Sequence, residues 1–189
     1  FLAAAGVGKL EIWDDDHVER SNLQRQVQFG EGDLGKYKAD VLAAHLMRDH
    51  PHTVVEPRRK RWADSDALHG RILVDATDNF ATRYALNQVA HASARYMVHG
   101  AAAGWRGQVS VFASGRTGDA PCYQCWVPET PPDAEACDEV GVVGPVTGMV
   151  STAMALEVIK LVTGAGSPLI GRILLLDGLS ATPRTIGLR

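Results

Sequence analysis

A chain of 189 residues has the length of one domain, able to bury roughly 70% of the surface its unfolded form exposes. Hydrophobic residues make up 46% and charged residues 22%, the proportions of an ordinary globular protein. A formal net charge of −3 supplies no basic field to neutralise phosphates, which excludes broad nucleic-acid binding. Three cysteines are an odd number and too few for a disulfide framework, so a cytoplasmic setting is expected. The start, FLAAAGVG, lacks the basic leader of a signal peptide.

In chain order, FLAAAGVG reads as the last turns of a helix stopped by Gly6 and Gly8. LEIWD (10–14) reads as a strand, and KYKADVLAAHLMRDH (36–50) as a helix that Pro51 terminates. TVVEP (53–57) is a short strand; ILVDAT (72–77) is an apolar strand that ends in a polar turn. Residues 80–94 predict a helix and YMVHG (96–100) another strand. This βαβα rhythm, with short apolar strands, argues for a parallel sheet covered by helices. After residue 104 the character changes. GWRGQVSVF alternates as a strand, and residues 113–145 form a long Gly/Pro/Asp-rich segment that holds all three cysteines.

A helix is predicted from about Val146 to Thr163, and GRILLLD and TPRTIGLR read as a closing pair of strands. The apolar run PVTGMVSTAMALEVIKLVTG is interrupted by Thr, Ser, Glu and Lys, so it reads as a buried helix and not a membrane span. There is no internal repeat and no linker long enough to divide the chain. The expectation is one α/β domain over residues 1–189: a Rossmann-like, mostly parallel sheet with helices on both faces, extended by antiparallel strands. In a dinucleotide-type βαβ unit a glycine-rich loop lies about 20 residues before the acid at the tip of the second strand. Counted back from Asp14, that loop falls upstream of Phe1, so the first strand and its loop are expected to be missing from this sequence.

The stretch DDDHVERSNLQRQ (14–26) poses a question of charge. In extended chain, Asp14 and Asp16 would share a face roughly 7 Å apart. Two like charges at that spacing repel by roughly 2 kcal/mol at an effective dielectric of about 20, and by about 0.6 kcal/mol in bulk water. Either the run is well solvated or something compensates it. Ligands of open α/β sheets sit at the carboxyl ends of the strands. There, Asp14 can accept hydrogen bonds from ribose hydroxyls, while Arg25 and Lys38 meet a phosphate chain. Asp78, in DATDN, sits at another strand tip, placed to hold Mg²⁺ through one carboxylate. Asn22 and Asn79 supply neutral hydrogen bonds. Taken singly, a strand-end Asp is more often a turn or cap.

Cys122 and Cys125, in PCYQC, have the spacing at which two thiolates grip one tetrahedral Zn²⁺. Two ligands make half a site. A redox pair is the rival reading, but such a pair normally opens a helix, and CYQCWVPETPP runs into prolines. Inert thiols are the third reading.

The motifs SNLQRQ, GKYKAD, DATDNF, GAAAGWRGQV, CYQC, GVVGPVTG and LLLDG together resemble the ThiF/MoeB/HesA group over essentially the whole chain. The resemblance implies adenylation of the C-terminal glycine of a ubiquitin-like sulfur-carrier protein ending in Gly-Gly, with ATP and Mg²⁺. It implies that Asp14 binds the ribose and that Ser21, Asn22, Leu23, Gln24 and Arg25 line the nucleotide and phosphates. Lys38 would bind the phosphates, and Asp78 with Asn79 would serve Mg²⁺ and ATP. GWRGQ and CYQCW look more like the ThiF branch, which serves thiazole, than the MoeB branch, which serves molybdopterin. A second CxxC, which in the family completes a structural zinc site, would begin about where this chain stops at Arg189. Cys137 matches the family cysteine linked to a covalent bond with the carrier in the ThiF branch, although its neighbours Asp138 and Glu139 would raise a thiol pKa and slow attack. The family acts as a homodimer, and an arginine from the partner's N-terminal helix enters the ATP site.

Other features carry less. Seven histidines show no HxxxH or HExxH spacing, which argues against a histidine metal site. The run Arg58-Arg59-Lys60-Arg61 reads as a solvated face, with docking of an acidic carrier as the alternative. Trp105 and Trp126 flank the presumed carrier path, with packing under the loop as their simpler role. Two readings come from other classes. An NAD-dependent oxidoreductase on the same fold has no use for SNLQRQ, Lys38 and TDN together. A non-catalytic carrier-binding module would bind a Gly-Gly tail without chemistry.

Overall fold

The computed structural model describes residues 1–131 and 141–188. These fall into two compact units, Phe1–Gly70 and Arg71–Arg189.

The first unit opens on a helical turn that closes as the sequence suggested. The Val7 amide donates to the Leu2 carbonyl at 3.0 Å and the Gly6 amide to the Ala3 carbonyl at 2.9 Å. With Gly6 at φ 86°, these are the paired bonds of a Schellman stop, a backbone that glycine reaches without a Cβ penalty. Strand β1 (Lys9–Trp13) pairs in parallel with β2 (Val54–Arg58), Lys9 against Val54 through Trp13 against Arg58. Between them lie two 3₁₀ turns, Arg20–Asn22 and Glu31–Asp33, and helix α1 (Lys38–Asp49). Pro51 follows its C-cap, His50. Val18, Phe29 and Val41 form the buried cluster here, with Leu23, Leu34 and Leu42 packed on it.

The second unit carries a five-stranded sheet in sequence order: β3 (Ile72–Asp75), β4 (Tyr96–Ala103), β5 (Arg106–Phe112), β6 (Arg172–Asp177) and β7 (Arg184–Gly187). The β3–β4 pair is parallel, joined through α2 (Phe80–Ala92); the three later pairs are antiparallel. The α/β class, the parallel pairs and the antiparallel extension are as expected; among the described residues, however, the strands form two sheets, with two parallel pairs and three antiparallel ones, where one mostly parallel sheet was expected. Helices cover both faces of the five-stranded sheet. Helix α5 (Gly144–Thr163) lies on β4 and β5, and Gly100 and Gly107 allow the close approach. A Cβ on Gly107 would stand 2.4 Å from Val150 Cγ2, well inside van der Waals contact. On the other face His99 and Phe112 meet the rings of Tyr123 and Trp126.

Helix α5, with a mean hydropathy of 1.4, is long and apolar enough to cross a membrane. It is instead packed on the sheet, as predicted, through Val146, Val150, Met154 and Val158. Met149, Leu156 and Val162 stay exposed. Two short helices lie in the stretch read as an irregular segment: α3 (Ser114–Thr117) and α4 (Tyr123–Trp126).

Candidate functional site

In the first unit, β1 stops at Trp13, so the three acids follow the strand and do not continue it. The Asp14 carboxylate accepts the Asp16 amide at 2.9 Å, a side-chain turn of the kind Asp makes readily. This corrects the extended geometry expected for the run: the turn folds the three carboxylates back, with one oxygen of each within 4.8 Å of the others. Cations answer the charge. Lys38, buried at the start of α1, places Nζ 2.8 Å from Asp16 Oδ2, and its amide donates to the Asp16 carbonyl at 2.9 Å. Arg61 Nε lies 3.7 Å from Asp15. Burial pushes the Asp14 carboxyl above the usual carboxylate range, against the pull of the Asp16 amide and of Lys38.

Asp14 and Lys38 line one small cavity of about 60 Å³, together with Ile12, Gln26, Gln28 and Phe29. That volume holds a few ligand atoms, not a whole nucleotide. Gln26 Oε1 is buried with no partner among the described residues, an acceptor left open on a residue that lines this hollow. The structure therefore brings together two predicted residues, the strand-tip acid and the helix lysine.

The SNLQR residues lie on the adjoining turn and do not line that cavity. Arg25 donates from Nη1 to the Ser21 carbonyl at 3.0 Å, so its guanidinium folds back on its own turn. Ser21 donates to Glu19 at 3.2 Å. Asn22 is buried, and its Oδ1 has no partner among the described residues. The Leu23 side chain packs on the core cluster of Val18, Phe29 and Val41, and Gln24 is exposed. A wider hollow of about 470 Å³ is lined by Asp33, Lys36, Tyr37, Asp40, His45 and Arg59 among others. Its charges pair off, Arg59 with Asp40 at 2.7 Å and Lys36 with Asp33 at 3.4 Å, which leaves less to recognise a ligand than the smaller cavity offers.

The basic run is likewise spoken for within this unit. Arg58 meets Glu11 and Glu56, Arg59 meets Asp40, Lys60 meets Asp66 and Arg61 meets Asp15. Four cations matched by local carboxylates offer little net field to an acidic partner, which favours the solvated-face reading.

In the second unit, Asp78 stands exposed in the turn after β3. Asn79 caps α2: its Oδ1 accepts the Thr82 amide at 2.9 Å, while its Nδ2 reaches toward Asp78 Oδ1 at 3.5 Å. One open carboxylate at a strand tip fits Mg²⁺, which takes one or two protein carboxylates and completes its shell with phosphate oxygens and water. The sequence reading passed over two buried residues beside this turn. Asp75 and His99 are both fully buried, with His99 Nδ1 2.7 Å from Asp75 Oδ2. Burial raises the Asp75 carboxyl, but hydrogen bonds from His99 and Thr77 outweigh it and hold the group below its ordinary value.

Cys122 and Cys125 place their sulfurs 3.0 Å apart. Contrary to the expectation from the nearby prolines, the pair does open a helix: Cys122 Sγ caps α4 by accepting the Cys125 amide at 3.2 Å. Helix position therefore does not separate a zinc pair from a redox pair. The two sulfurs of a tetrahedral Zn²⁺ site stand roughly 3.8 Å apart, so a small side-chain rotation would fit them to half of one; among the described residues no further ligand completes it. Burial raises the Cys122 thiol, but the Cys125 thiol and amide outweigh it and bring the group below its usual value, while the Cys125 thiol is pushed up. Trp126 packs against Phe112, His99 and Tyr123, the structural role expected of it, whereas Trp105 is about half exposed. Cys137 lies outside the described residues.

Parallel strand pairs joined through helices, with Asp14 and Lys38 at one cavity of the first unit and Asp78 exposed after a strand of the second, define an α/β protein with polar groups at its strand ends. The chain belongs to the ThiF family, whose model matches residues 1–188. It is 40% identical to the SAMP-activating enzyme E1 of Haloferax volcanii over 196 residues, covering 100% of this chain and 71% of that protein. It is 39% identical to the sulfur carrier protein adenylyltransferase of Thermus thermophilus, covering 100% of this chain and 73% of the relative. A third relative is the adenylyltransferase and sulfurtransferase MOCS3 of Drosophila grimshawi, at 39% identity; there the chain spans 43% of the length. Among solved structures, E. coli MccB with MccA-N7isoASN superposes with a TM-score of 0.85 at 18% identity, covering 98% of this chain and 59% of that one. That likeness is one of fold.

Proposed function

We propose that this chain is the adenylating part of an enzyme that activates the C-terminal glycine of a ubiquitin-like sulfur carrier. The carboxylate of a Gly-Gly tail attacks the α-phosphorus of ATP, forming an acyl-adenylate and releasing pyrophosphate. A carboxylate at neutral pH is already the nucleophile, so no general base is needed. The difficulty is electrostatic, because an anion must approach a polyanion. Lys38 opposes that repulsion at the phosphates, and Arg25, once released from the Ser21 carbonyl, adds a planar fork. Asp14 accepts from the ribose hydroxyls. Asp78, with Asn79 beside it, would hold Mg²⁺, which when bound would supply screening of the phosphate charge.

The observation that carries this reading is the pairing of Asp14 and Lys38 at one cavity beside the end of a parallel strand. The relatives' names support the carrier class: an activating enzyme, a sulfur carrier protein adenylyltransferase and an adenylyltransferase–sulfurtransferase. Within that class the GWRGQ and CYQCW motifs favour a thiazole-pathway carrier over a molybdopterin one. Cys122 and Cys125 would supply half of a structural zinc site, and Cys137 a sulfur-linked role after adenylation. The active form is proposed to be a cytoplasmic homodimer, to which the exposed Met149 and Leu156, two turns apart on one side of α5, offer an apolar face.

Mg-dependent ATP–pyrophosphate exchange with candidate Gly-Gly carriers, using the full-length protein, tests the reading. Arg25→Ala, Lys38→Ala and Asp78→Ala are each expected to cost at least about a hundredfold, since a lone cation on a transferring phosphoryl group is worth roughly 10³–10⁵ in rate in other enzymes. Cys137→Ala should leave exchange intact. Normal exchange in Lys38→Ala would overturn the assignment, and carrier binding without exchange in the unaltered protein would favour a non-catalytic module.

A further inference from the structure

Asp75 and His99 stand opposite one another in the parallel β3–β4 register, both with no solvent-exposed surface. A buried carboxylate is costly unless its lone pairs are filled. Asp75 fills them with three donors: the His99 ring at 2.7 Å, the Thr77 amide at 3.0 Å and the Thr77 hydroxyl at 2.7 Å. Thr77 is held from its other side as well. Its carbonyl accepts from Arg83 Nε at 3.2 Å and Nη2 at 2.7 Å, and Arg83 is itself buried. Asp78 comes next in the chain, and Asn79 after it is tied down as the cap of α2. The backbone on both sides of Asp78 is thus fixed, while Asp78 itself is exposed to solvent.

His99 anchors this arrangement. Its ring lies 4.9 Å from that of Tyr123 and 6.1 Å from that of Trp126, with Phe112 at 6.3 Å, so it cannot swing off Asp75 without unpacking an aromatic cluster. Its Nε2 is buried, with no hydrogen-bond partner among the described residues. A proton on Nδ1 lets the ring donate to Asp75, where a ring with its only proton on Nε2 would strand that N–H and give Asp75 no donor.

We propose that Asp75 and His99 are positioning residues for Asp78, holding its carboxylate where a divalent cation carried on nucleotide phosphates binds. This rests on the adenylation reading only in assigning the cation to Asp78. Supporting groups behind a metal-binding carboxylate typically cost about 10–100-fold in metal affinity or activity when removed.

The test is Mn²⁺ binding by the full-length protein, followed by electron paramagnetic resonance with a non-hydrolysable ATP analogue. His99→Leu should raise the Mn²⁺ dissociation constant about 10–100-fold, while His99→Asn, which keeps a donor toward Asp75, should stay within about threefold. Thr77→Val removes only the hydroxyl, at a half-buried position, and should weaken Mn²⁺ about tenfold. If His99→Leu fails to fold, Thr77→Val against His99→Asn carries the test. Affinity for the metal-free analogue should stay unchanged in all three, which a general structural defect would not allow. Folded His99→Leu and Thr77→Val proteins that bind Mn²⁺ like the unaltered chain would overturn the proposal, as would Mn²⁺ binding indifferent to Asp78→Ala. The predicted Mn²⁺ pattern without any ATP–pyrophosphate exchange would support the positioning role while refuting carrier adenylation.

Discussion

β1 and β3 are both short strands in parallel pairs, and each runs into acids, DDD after Trp13 and DATD from Asp75. Their surroundings set those acids to opposite tasks. After β1 the carboxylates are exposed or half-buried, folded back on one another and answered by Lys38 and Arg61. At the end of β3 the first acid is sealed inside and answered by a histidine, and only the second, Asp78, faces water. The first tip leaves its carboxylates at or near the surface, matched by cations. The second uses one carboxylate to fix the turn that presents the other.

The sharpest way to break this contrast is to delete the sealed acid. Asp75→Ala leaves the His99 ring and the Thr77 hydroxyl without their partner in a dry interior. Removing one member of a buried, hydrogen-bonded pair typically costs about 3–5 kcal/mol. A urea denaturation series should show a loss of that size, whereas Asp16→Asn, at an exposed carboxylate, should cost about 1 kcal/mol or less. Equal losses at the two positions would erase the distinction between the tips.

Acid sharpens the comparison because the two key carboxyls shift in opposite directions. Asp75 is held below its ordinary value when folded. Its stabilisation is therefore complete above the unfolded value of about 3.9, and it fades as pH falls through the lower folded value. Asp14 is shifted upward. Its charged form disfavours the folded state, and that penalty is relieved as pH falls through the raised folded value toward about 3.9. Stability followed from pH 7 downward should lose less below about pH 3.9 in Asp75→Asn than in the unaltered protein. Other, partly buried acids with lowered values, such as Asp33, Asp66 and Asp177, will keep part of the acid loss in both. An unchanged acid limb in Asp75→Asn would show that the buried pair does not titrate with folding.

Much of this was legible before any coordinates. Gly6 marked its Schellman stop, Pro51 its helix end, and the βαβα rhythm its parallel pairs, because each is a local consequence of backbone freedom or side-chain period. Asp14 and Lys38 were read onto one strand end, from a strand-tip acid and a helix-start lysine, and they line one cavity, although the lysine's ion pair is with Asp16. The Asp75–His99 pair was not, since 24 residues separate them and only the strand register brings them face to face. The available signal was a polar residue at a core-facing position of each of two adjacent apolar strands. The turn at Cys122 was missed because a thiol is not among the residues that ordinarily cap a helix, so the prolines dominated the reading. Arg25 was placed by motif on a phosphate, yet its guanidinium lies on the Ser21 carbonyl. A sequence names the groups; the turn that carries them decides where they point.

The smallest effect belongs to Asp14 itself. Asn at this position keeps an oxygen for the Asp16 amide, sheds a half-desolvated charge and removes repulsion from Asp15 and Asp16. It also gives up the attraction of Lys38, which ranks below burial among the influences on this carboxyl. Asp14→Asn should therefore unfold at pH 7 at a urea concentration equal to or above that of the unaltered chain. A ribose diol offers two donors, and the amide presents one oxygen where the carboxylate presents two. ATP should then bind about tenfold more weakly, the worth of one charge-assisted hydrogen bond. A group that costs stability yet strengthens a ligand is placed for the ligand. Were Asp14→Asn both less stable and unaltered in ATP affinity, the residue would be a turn-former, and the first strand tip would lose its claim to the nucleotide.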